Sequence, residues 1–226
     1  MMHFVLTMGV TSVTKNKVSF APSVRRLPQY LHIIRSVQTS GDDYISGTVI
    51  AQELNLEPIQ VRKDLAITGI IGKPKKGYPV AALVRAIEHY LGWDTIQNAI
   101  LVGAGNLGAA LIGYPDFERH GLKFLAAFDT DPQKIGQHIH GVPVFGIDSI
   151  GRSIQELAIK VAVLTVPSPM AQATAEILVT AGIKAIWNFT NTKIKVDPEV
   201  VVQREDLSSG FALLSVMMNN RRQECG

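Results

Sequence analysis

The centre of the chain carries a glycine-rich loop that restricts the fold more than any other stretch. The loop follows the apolar run Ile100–Val102, which has the composition of a short buried strand. In this spacing the first glycine permits a tight turn, the second lets the backbone approach a pyrophosphate, and the third lets a helix pack against the strand. Free N–H groups at the start of that helix suit an anion. The pattern predicts a dinucleotide site whose loop is Gly103, Ala104, Gly105, Asn106, Leu107 and Gly108.

A second strand is predicted from the apolar segment 123–128, and it ends in Asp129. This acid lies 21 positions after Gly108, against roughly 20 for the carboxylate that binds the ribose 2′-hydroxyl of NAD. No lysine or arginine follows at once, because the next residues are Thr-Asp-Pro. A carboxylate here repels a 2′-phosphate, which favours NAD(H) over NADP(H). The alternative is that Asp129 only forms a turn at the end of its strand.

Strands and helices alternate through the rest of this half. The helix after the glycine loop is predicted to run to Tyr114, where Pro115 stops it. Another helix is predicted over 171–180, and further strands at 142–145, 161–165, 185–188 and 200–202. Such alternation indicates an α/β fold with a Rossmann-like, doubly wound parallel sheet. Ligands bind such sheets beyond the carboxyl ends of the strands, where residues 165–167 would lie.

The first third of the chain has the pattern of a helix-turn-helix. A first helix is predicted after Ser23, its cap, and short helices follow over 48–54 and 58–67. The outer side of the third helix is formed by Gln60, Arg62 and Lys63. Glutamine and arginine at the start of such a helix can read base edges in a major groove. A polar surface helix in a bundle is the alternative.

A basic glycine-rich segment follows the predicted recognition helix. It runs from Gly69 to Tyr78 and contains Lys73, Lys75 and Lys76. A wing that lies on phosphates or in a minor groove has this composition. Residues 1–92 hold 11 lysines and arginines against 6 acids, the remainder holds 11 against 13, and the total charge is +3. We expect the basic front to meet a polyanion, and a solvated basic face is the alternative.

Length and cysteine content limit the remaining classes of protein. The 226 residues suffice for one large or two small domains. The single cysteine, Cys225, excludes a disulfide framework and favours a reducing cytoplasm. No apolar run is long enough to span a bilayer, and residues 1–13 make a poor signal peptide, so we expect no membrane partner. Residues 1–18 are expected to form a disordered arm.

A last helix is predicted near the C-terminus, with one apolar face. Leu207, Phe211 and Leu214 line that face. A second subunit would cover it and would make the protein a homodimer. Packing of the helix against its own chain is the alternative.

Taken in order, these segments resemble the Rex family of redox-sensing transcriptional repressors. The resemblance covers residues 20–220 and rests on the segments 25–31, 60–65, 69–78, 102–108, 128–136, 164–167 and 181–189. It implies a winged helix-turn-helix DNA-binding domain over 19–92, an NAD(H)-binding Rossmann domain over 93–205 and a dimerisation helix over 206–226 that is swapped between subunits. Members of the family bind operator DNA as homodimers when NADH is scarce and leave it when NADH binds.

The resemblance also implies roles for individual residues. NAD(H) would be bound by the glycine loop and by Asp129, Lys134, Ile135, Thr165, Val166, Pro167, Asn188 and Tyr114. Operator double-stranded DNA would be contacted by Arg25, Arg26, Tyr30, Ser46, Gln60, Arg62, Lys63, Lys73, Lys75, Lys76 and Tyr78. In the NADH-bound state Tyr114 would meet Asp206 of the partner subunit. His32 stands where the family commonly has an arginine that pairs with that acid in the DNA-bound state, and a histidine would either weaken that contact or add pH dependence.

Two other functions fit parts of the pattern. An NAD-dependent dehydrogenase needs a proton donor or a nucleophile beside the nicotinamide, but Cys225 is terminal, and the histidines at 120, 138 and 140 lie away from residues 165–167. His138 and His140 have no clustered acid or cysteine, so a solvent-facing loop is favoured over a metal site. A CoA- or nucleotide-binding module would leave residues 20–80 unexplained. We therefore expect a regulator rather than an enzyme.

Overall fold

The N-terminal part of the molecule is a helical unit with a small wing. The computed structural model describes residues 20–224, so the predicted arm 1–18 lies outside the described residues. The helices are α1 (Ala21–Thr39), α2 (Gly47–Glu53), α3 (Pro58–Ala66) and α4 (Val80–Leu91). The short strands β1 (Tyr44–Ile45) and β2 (Tyr78–Pro79) pair antiparallel, and the segment between α3 and β2 forms the wing. This arrangement confirms the predicted winged helix-turn-helix.

The helices of this unit pack together because each has one apolar side. The buried residues of α1 are Leu27, Tyr30, Leu31 and Ile34, and three of them follow the helical spacing of the sequence. Ser23 does not cap α1. The helix begins earlier, at Ala21, with Pro22 in its first turn, where the missing proline N–H costs no hydrogen bond.

The rest of the chain forms a seven-stranded sheet with helices between its strands. The strands are β3 (Gln97–Val102), β4 (Leu122–Asp129), β5 (His138–Ile139), β6 (Val142–Gly146), β7 (Val161–Leu164), β8 (Ala185–Asn188) and β9 (Val201–Arg204). The helices are α5 (Asn106–Ile112), α6 (Pro115–Arg119), α7 (Ile150–Glu156), α8 (Ala171–Ala181) and α9 (Ser208–Glu224). Short 3₁₀ turns occupy Ile147–Ser149 and Ser168–Met170.

The strand order of this sheet places one crevice at its centre. The order is β5-β6-β4-β3-β7-β8-β9, and every pairing is parallel except that of β5 with β6. The chain builds outward from β3 first on one side and then on the other, so the crossovers reverse between β3 and β7. These two strands are buried on both faces, which explains their apolar runs. The structure confirms the doubly wound sheet, and the crevice opens at the carboxyl ends of β3 and β7.

Helix α5 is shorter than predicted, and helix α9 is largely exposed. The helix after the glycine loop ends at Ile112 rather than Tyr114, and Tyr114 instead precedes α6, which begins at Pro115. Helix α9 exposes large apolar side chains on several sides, among them Phe211, Leu213, Leu214, Val216 and Met217. Within residues 20–224, no helix has both the length and the apolar character needed to cross a bilayer.

Candidate dinucleotide site and DNA-binding surface

The glycine loop lies at the carboxyl ends of β3 and β7, as the sequence predicts. Gly103 has a φ of 99°, in the left-handed region, and a Cβ built there would lie 2.8 Å from the main chain of Thr165. A Cβ on Gly108 would collide with the backbone carbonyl oxygen of Gly103 and would lie 2.8 Å from the Leu101 side chain. A Cβ on Gly105 meets no protein atom within 4 Å. Packing therefore requires the first and third glycines, whereas the second keeps its backbone open to an approaching phosphate.

Thr165 braces this loop from the neighbouring strand. Its Oγ1 lies 2.7 Å from the carbonyl oxygen of Gly103 and 3.1 Å from that of Val102, so the hydroxyl donates to the turn itself. The N–H of Gly103 donates to the carbonyl of Phe128 on the opposite side, at 2.8 Å. The turn is thus held from both sides by hydrogen bonds within the protein. Thr165 was predicted to bind the cofactor, and the structure gives it this supporting contact.

Asp129 ends β4 with its carboxylate beside the glycine loop. Oδ1 accepts a hydrogen bond from the N–H of Asp131 at 2.9 Å, and Oδ2 accepts one from Lys134 Nζ at 3.2 Å. Burial alone would raise the pKa of this carboxyl, but the backbone N–H groups of Asp131 and Ala104 and the charge of Lys134 outweigh it and lower the pKa. An ionised carboxylate at this point suits the two hydroxyls of a ribose.

Lys134 affects how strongly Asp129 would repel the 2′-phosphate of NADP(H). Its Nζ lies 3.2 Å from Asp129 Oδ2 and 3.7 Å from Asp131 Oδ2, so it folds back over the acid from five positions along the chain. The residues directly after Asp129 include no cation, which favoured NAD(H) over NADP(H). In the structure a cation partly neutralises the carboxylate, so repulsion of a 2′-phosphate is weaker than the sequence alone indicated.

Of the other predicted cofactor residues, Ile135, Val166 and Pro167 lie at the crevice, whereas the Asn188 side chain bonds to the loop after β8. Ile135 is exposed and lies against Gly146 at the carboxyl end of β6. Val166 and Pro167 follow β7 at the same edge of the sheet. Asn188 is buried, and its amide accepts from the N–H and hydroxyl of Thr190 and donates to the carbonyl of Thr192. The Asn188 side chain therefore holds the loop after β8, which corrects its prediction as a cofactor ligand.

Aromatic side chains connect Tyr114 with the start of α9. The Tyr114 and Phe117 rings lie 4.9 Å apart, and the Phe117 and Trp187 rings 5.4 Å apart, both edge-on. Trp187 Nε1 then donates to Glu205 Oε1 at 3.0 Å, one residue before Asp206. No sequence pattern pointed to this path, because its members come from α6, β8 and the segment after β9. It joins Tyr114, a predicted cofactor and switch residue, to the segment that precedes the terminal helix.

His32 and Tyr114 line one cleft between α1 and α6. The cleft has a volume of about 670 Å³. Its charged and titratable lining residues are His32, Arg35, Asp116, Arg119 and His120. Asp206 of the same chain is elsewhere, where its carboxylate accepts from the N–H and hydroxyl of Ser208 just before α9. Two of the three predicted switch residues therefore line the same cleft, and Asp206 does not line it.

Asp64, the acid of α3, connects this helix with α1. Arg26 donates to both of its oxygens, from Nε at 2.6 Å and Nη2 at 2.9 Å, and Tyr30 Oη donates to Oδ2 at 2.5 Å. Gln60 Nε2 donates to Oδ1 at 2.8 Å. Burial alone would raise the pKa of Asp64, but hydrogen bonds from Arg26, Tyr30, Ser23 and Gln60 outweigh it and hold the pKa far below its usual range.

Tyr30 and Arg26 were both predicted to contact DNA, and both instead donate hydrogen bonds to Asp64. Tyr30 is fully buried with its hydroxyl on Asp64, so the prediction that it contacts DNA is wrong. The helical spacing that buries Leu27 and Leu31 also turns Tyr30 inward. Arg26 keeps part of its side chain exposed, but its guanidinium is committed to Asp64 by two bonds. The resemblance implied DNA contacts for both residues, and their shared partner lies more than 30 positions away in the chain.

Several residues predicted to contact DNA are accessible on this unit. Arg25, Arg62 and Lys63 are exposed. Ser46 caps α2, and its Oγ accepts from the N–H of Val49 at 3.2 Å, which leaves the hydroxyl proton free to donate to a phosphate. Their contact with DNA stays a prediction.

The wing carries its lysines on an aromatic support that the sequence did not reveal. Lys73 Nζ donates to Tyr44 Oη at 3.0 Å, and the ammonium groups of Lys73 and Lys76 lie 5.4 and 5.5 Å from the centre of the Tyr44 ring. This contact lowers the pKa of Tyr44. Tyr78 packs its ring beside Gly72, which accounts for a glycine there, and is only partly accessible. Lys75 is exposed at the tip, with a φ of 63°.

Comparisons with known proteins agree with both halves of this description. The family model described as "Putative DNA-binding protein N-terminus" matches residues 17–66, and the model described as "CoA binding domain" matches residues 94–192. The redox-sensing transcriptional repressor Rex of Treponema denticola is 59% identical over 93% of this chain and all of that protein. The Rex of Bacteroides thetaiotaomicron is 39% identical over 88% of this chain and 89% of its own.

Solved structures give the same result at lower identity. The Rex-family repressor RSP in complex with β-NAD+ and operator DNA superimposes with a TM-score of 0.84 and 32% identity, over 92% of this chain and 96% of its own. RSP in complex with β-NADH has a TM-score of 0.82 and 31% identity, over 92% and 98% of the two chains. With relatives of this identity and coverage, the chain belongs to the Rex family of redox-sensing transcriptional repressors.

Proposed function

We propose that the protein is a transcriptional repressor that binds operator DNA as a homodimer when NADH is scarce and releases the DNA when NADH binds. The observation that carries this proposal is the presence in one chain of a basic winged helix-turn-helix and of a glycine loop with Asp129 beside it. Neither half needs a catalytic group for this task. Relatives named as repressors, rather than as dehydrogenases, support a regulator.

The proposed DNA interface is the exposed side of α3 together with the wing. Arg62 and Lys63 would enter the major groove, while Arg25, Ser46 and the wing lysines would meet phosphates. The solved complex of RSP with operator DNA supports this arrangement, because the two chains superimpose over nearly their whole length. Arg26 would act indirectly, by holding α3 against α1 through Asp64.

The proposed cofactor is NAD(H), bound across the carboxyl edge of the sheet. The pyrophosphate would lie on the loop 103–108, and the adenosine ribose on Asp129. Ile135 and residues 165–167 would form the walls of the crevice. Complexes of RSP with NAD+ and with NADH support this choice of ligand. The match to a CoA-binding family model concerns the same part of the fold, so CoA serves as a control ligand.

The proposed switch is the cleft that contains His32 and Tyr114. A ligand changes a two-state equilibrium only if it binds one state more tightly. NADH would stabilise the state in which Tyr114 contacts Asp206 of the partner subunit, and the contact of His32 with that acid would belong to the DNA-bound state. The exposed apolar side chains of α9 support the homodimer, since an isolated chain would leave them in water.

Domain limits and location are part of the same proposal. We propose a DNA-binding domain over 19–92, a Rossmann domain over 93–205 and a dimerisation helix over 206–226. One hydrophobic cluster draws its buried residues only from Leu27 to Ile87, and two others lie in the sheet region, which supports a division between them. A repressor acts where DNA and NADH are found, so we propose the bacterial cytoplasm as its location.

Fluorescence anisotropy with a labelled duplex tests the function. The duplex is first selected by the protein from a randomised pool, and binding is then measured at rising NADH, NAD+, NADPH and CoA. We expect NADH to release the DNA, and NAD+ and CoA to release little or none. Operator affinity that is independent of NADH would contradict the redox-sensing proposal. Selection of no sequence would contradict the DNA-binding proposal itself.

A further inference from the structure

Within residues 20–221, Asp64 is the only fully buried charged residue. It lies on α3, the proposed recognition helix, and all of its partners but one come from α1. Arg26 and Tyr30 hold the carboxylate from that side, at 2.6 to 2.9 Å and at 2.5 Å. Gln60, one helical turn before Asp64, is the only partner on α3 itself, at 2.8 Å. A carboxylate held so tightly is a rigid reference point for the amide that touches it.

The chemistry of this contact determines which end of the Gln60 amide points inward. An ionised carboxylate only accepts hydrogen bonds, so it must face the NH₂ group and not the carbonyl oxygen. One N–H of Gln60 is used by Asp64. The second N–H and the carbonyl oxygen remain for other partners, and the amide cannot exchange its two ends without placing two acceptors against each other. Asp64 therefore gives Gln60 a defined donor and a defined acceptor.

The position of Gln60 suits the reading of a base. It is the third residue of α3 and is partly exposed, and the exposed Lys63 lies one turn further along. Side chains at the start of a recognition helix are those that reach base edges. In the major groove, adenine offers an acceptor at N7 and a donor at N6, and a glutamine amide pairs with both at once. An amide of fixed orientation distinguishes this pattern from that of guanine, which offers two acceptors.

We propose that Asp64 is a specificity-positioning residue: by orienting the amide of Gln60, it makes an A·T pair preferred at the operator position that Gln60 contacts. Arg26 and Tyr30 keep the carboxylate in place, and Asp64 itself does not touch DNA. This inference rests on the proposed DNA-binding function. It adds to that function a residue that carries base preference from the interior of the domain.

Selection from a randomised duplex pool, followed by anisotropy competition with single-base variants of the selected duplex, tests the proposal. Wild type is compared with Gln60→Ala, Asp64→Asn and Tyr30→Phe. Wild type should prefer A·T at one position of each half-site by roughly tenfold or more. Gln60→Ala should lose the preference at that position alone. Asp64→Asn should weaken it there as well, because an asparagine can face either end of the glutamine amide.

Tyr30→Phe is the matched control, because it removes one hydrogen bond from Asp64 and leaves the contact between Asp64 and Gln60. It should lower thermal stability and keep the base preference. The proposal is overturned if Gln60→Ala retains every base preference, or if Asp64→Asn weakens all duplexes equally. Should Asp64→Asn fail to fold, Asp64→Glu, which displaces the carboxylate, takes its place with the same expectation. A wild type that selects a sequence separates these outcomes from failure of the proposed function.

Discussion

Asp64 and Asp129 are the same residue type in the two halves of the molecule, and their surroundings differ in one decisive respect. The Asp64 side chain is fully buried and is surrounded by donors from Arg26, Tyr30 and Gln60. The Asp129 side chain is 12% exposed, and its donors are the backbone N–H groups of Asp131 and Ala104 and the Lys134 ammonium. A saturated acid holds two helices together, whereas an acid with remaining capacity at a sheet edge can bind a ligand. The number of protein hydrogen bonds that a carboxylate already accepts, more than its charge, distinguishes a structural carboxylate from one that can bind a ligand.

The largest expected difference between the two acids is in stability. Asp64→Ala leaves a half-buried guanidinium and a buried phenol without their partner, and should lower the free energy of unfolding by about 3 kcal/mol or more. Asp129→Ala breaks only a partly exposed ion pair and a turn contact, and should cost about 1 kcal/mol or less. Urea unfolding followed by circular dichroism measures both. Equal losses would remove the distinction drawn between the two sites.

For NADH binding, in contrast to stability, the substitution of Asp129 should have a larger effect than the substitution of Asp64. Asp129→Ala removes hydrogen bonds between a charged group and the ribose, worth about 1.5–3 kcal/mol, so the Kd for NADH should rise roughly ten- to a hundredfold. Asp131→Ala is the control, because it also lies near Lys134 but has its Oδ1 on the N–H of Gln133. Titration calorimetry gives both constants. An unchanged Kd for Asp129→Ala would assign this acid to the strand-end turn alone.

Stability should depend on pH at both ends of the scale through the Asp64 network. The pKa of Asp64 lies below its usual value of 3.8, so its contribution is complete above about pH 4 and is lost as the pH falls toward the folded-state pKa. Burial, and then the Asp64 carboxylate, raise the pKa of Tyr30 from 10.0 to about 12. Its contribution is complete below about pH 10 and is lost as the pH rises through 12.

Thermal unfolding across pH tests these two limits separately. Asp64→Asn should flatten the acid side of the Tm profile, and Tyr30→Phe should flatten the alkaline side. Asp129→Asn should change the acid side much less, because its carboxyl has fewer donors. If Tm falls as steeply at low pH in Asp64→Asn as in wild type, other carboxyl groups dominate acid unfolding.

The smallest expected effect concerns the choice between NADH and NADPH. Lys134 partly neutralises Asp129, with 3.2 Å between Nζ and Oδ2. Lys134→Ala should leave stability almost unchanged, since exposed ion pairs contribute about 0–1 kcal/mol. It should weaken NADPH binding severalfold relative to NADH, because the bare carboxylate repels a 2′-phosphate. If the ratio of the two Kd values does not change, Lys134 has no part in excluding or admitting the phosphate.

Predictions from the sequence succeeded where neighbours in the chain carry the signal. The strand, turn and helix around residues 100–112, the register of Asp129 with the loop and the helix-turn-helix were predicted from spacing alone, and the structure contains each of them. They failed at Tyr30 and Asn188, where a polar side chain turns inward to a partner. They also missed Tyr44 and Trp187, whose partners Lys73 and Glu205 lie 29 and 18 positions away.

The order of the residues by itself determined the local structure: glycines at three spaced positions admit one kind of turn, and apolar residues at helical or strand spacing select one buried side. Only the packing of α1 on α3 decided which polar side chains remain available to DNA and which bond inside the domain. That packing brings Arg26 and Tyr30 to Asp64. The reason is physical. A polar side chain is stable in a core only if its hydrogen bonds are met, and the groups that meet them are distant in the chain.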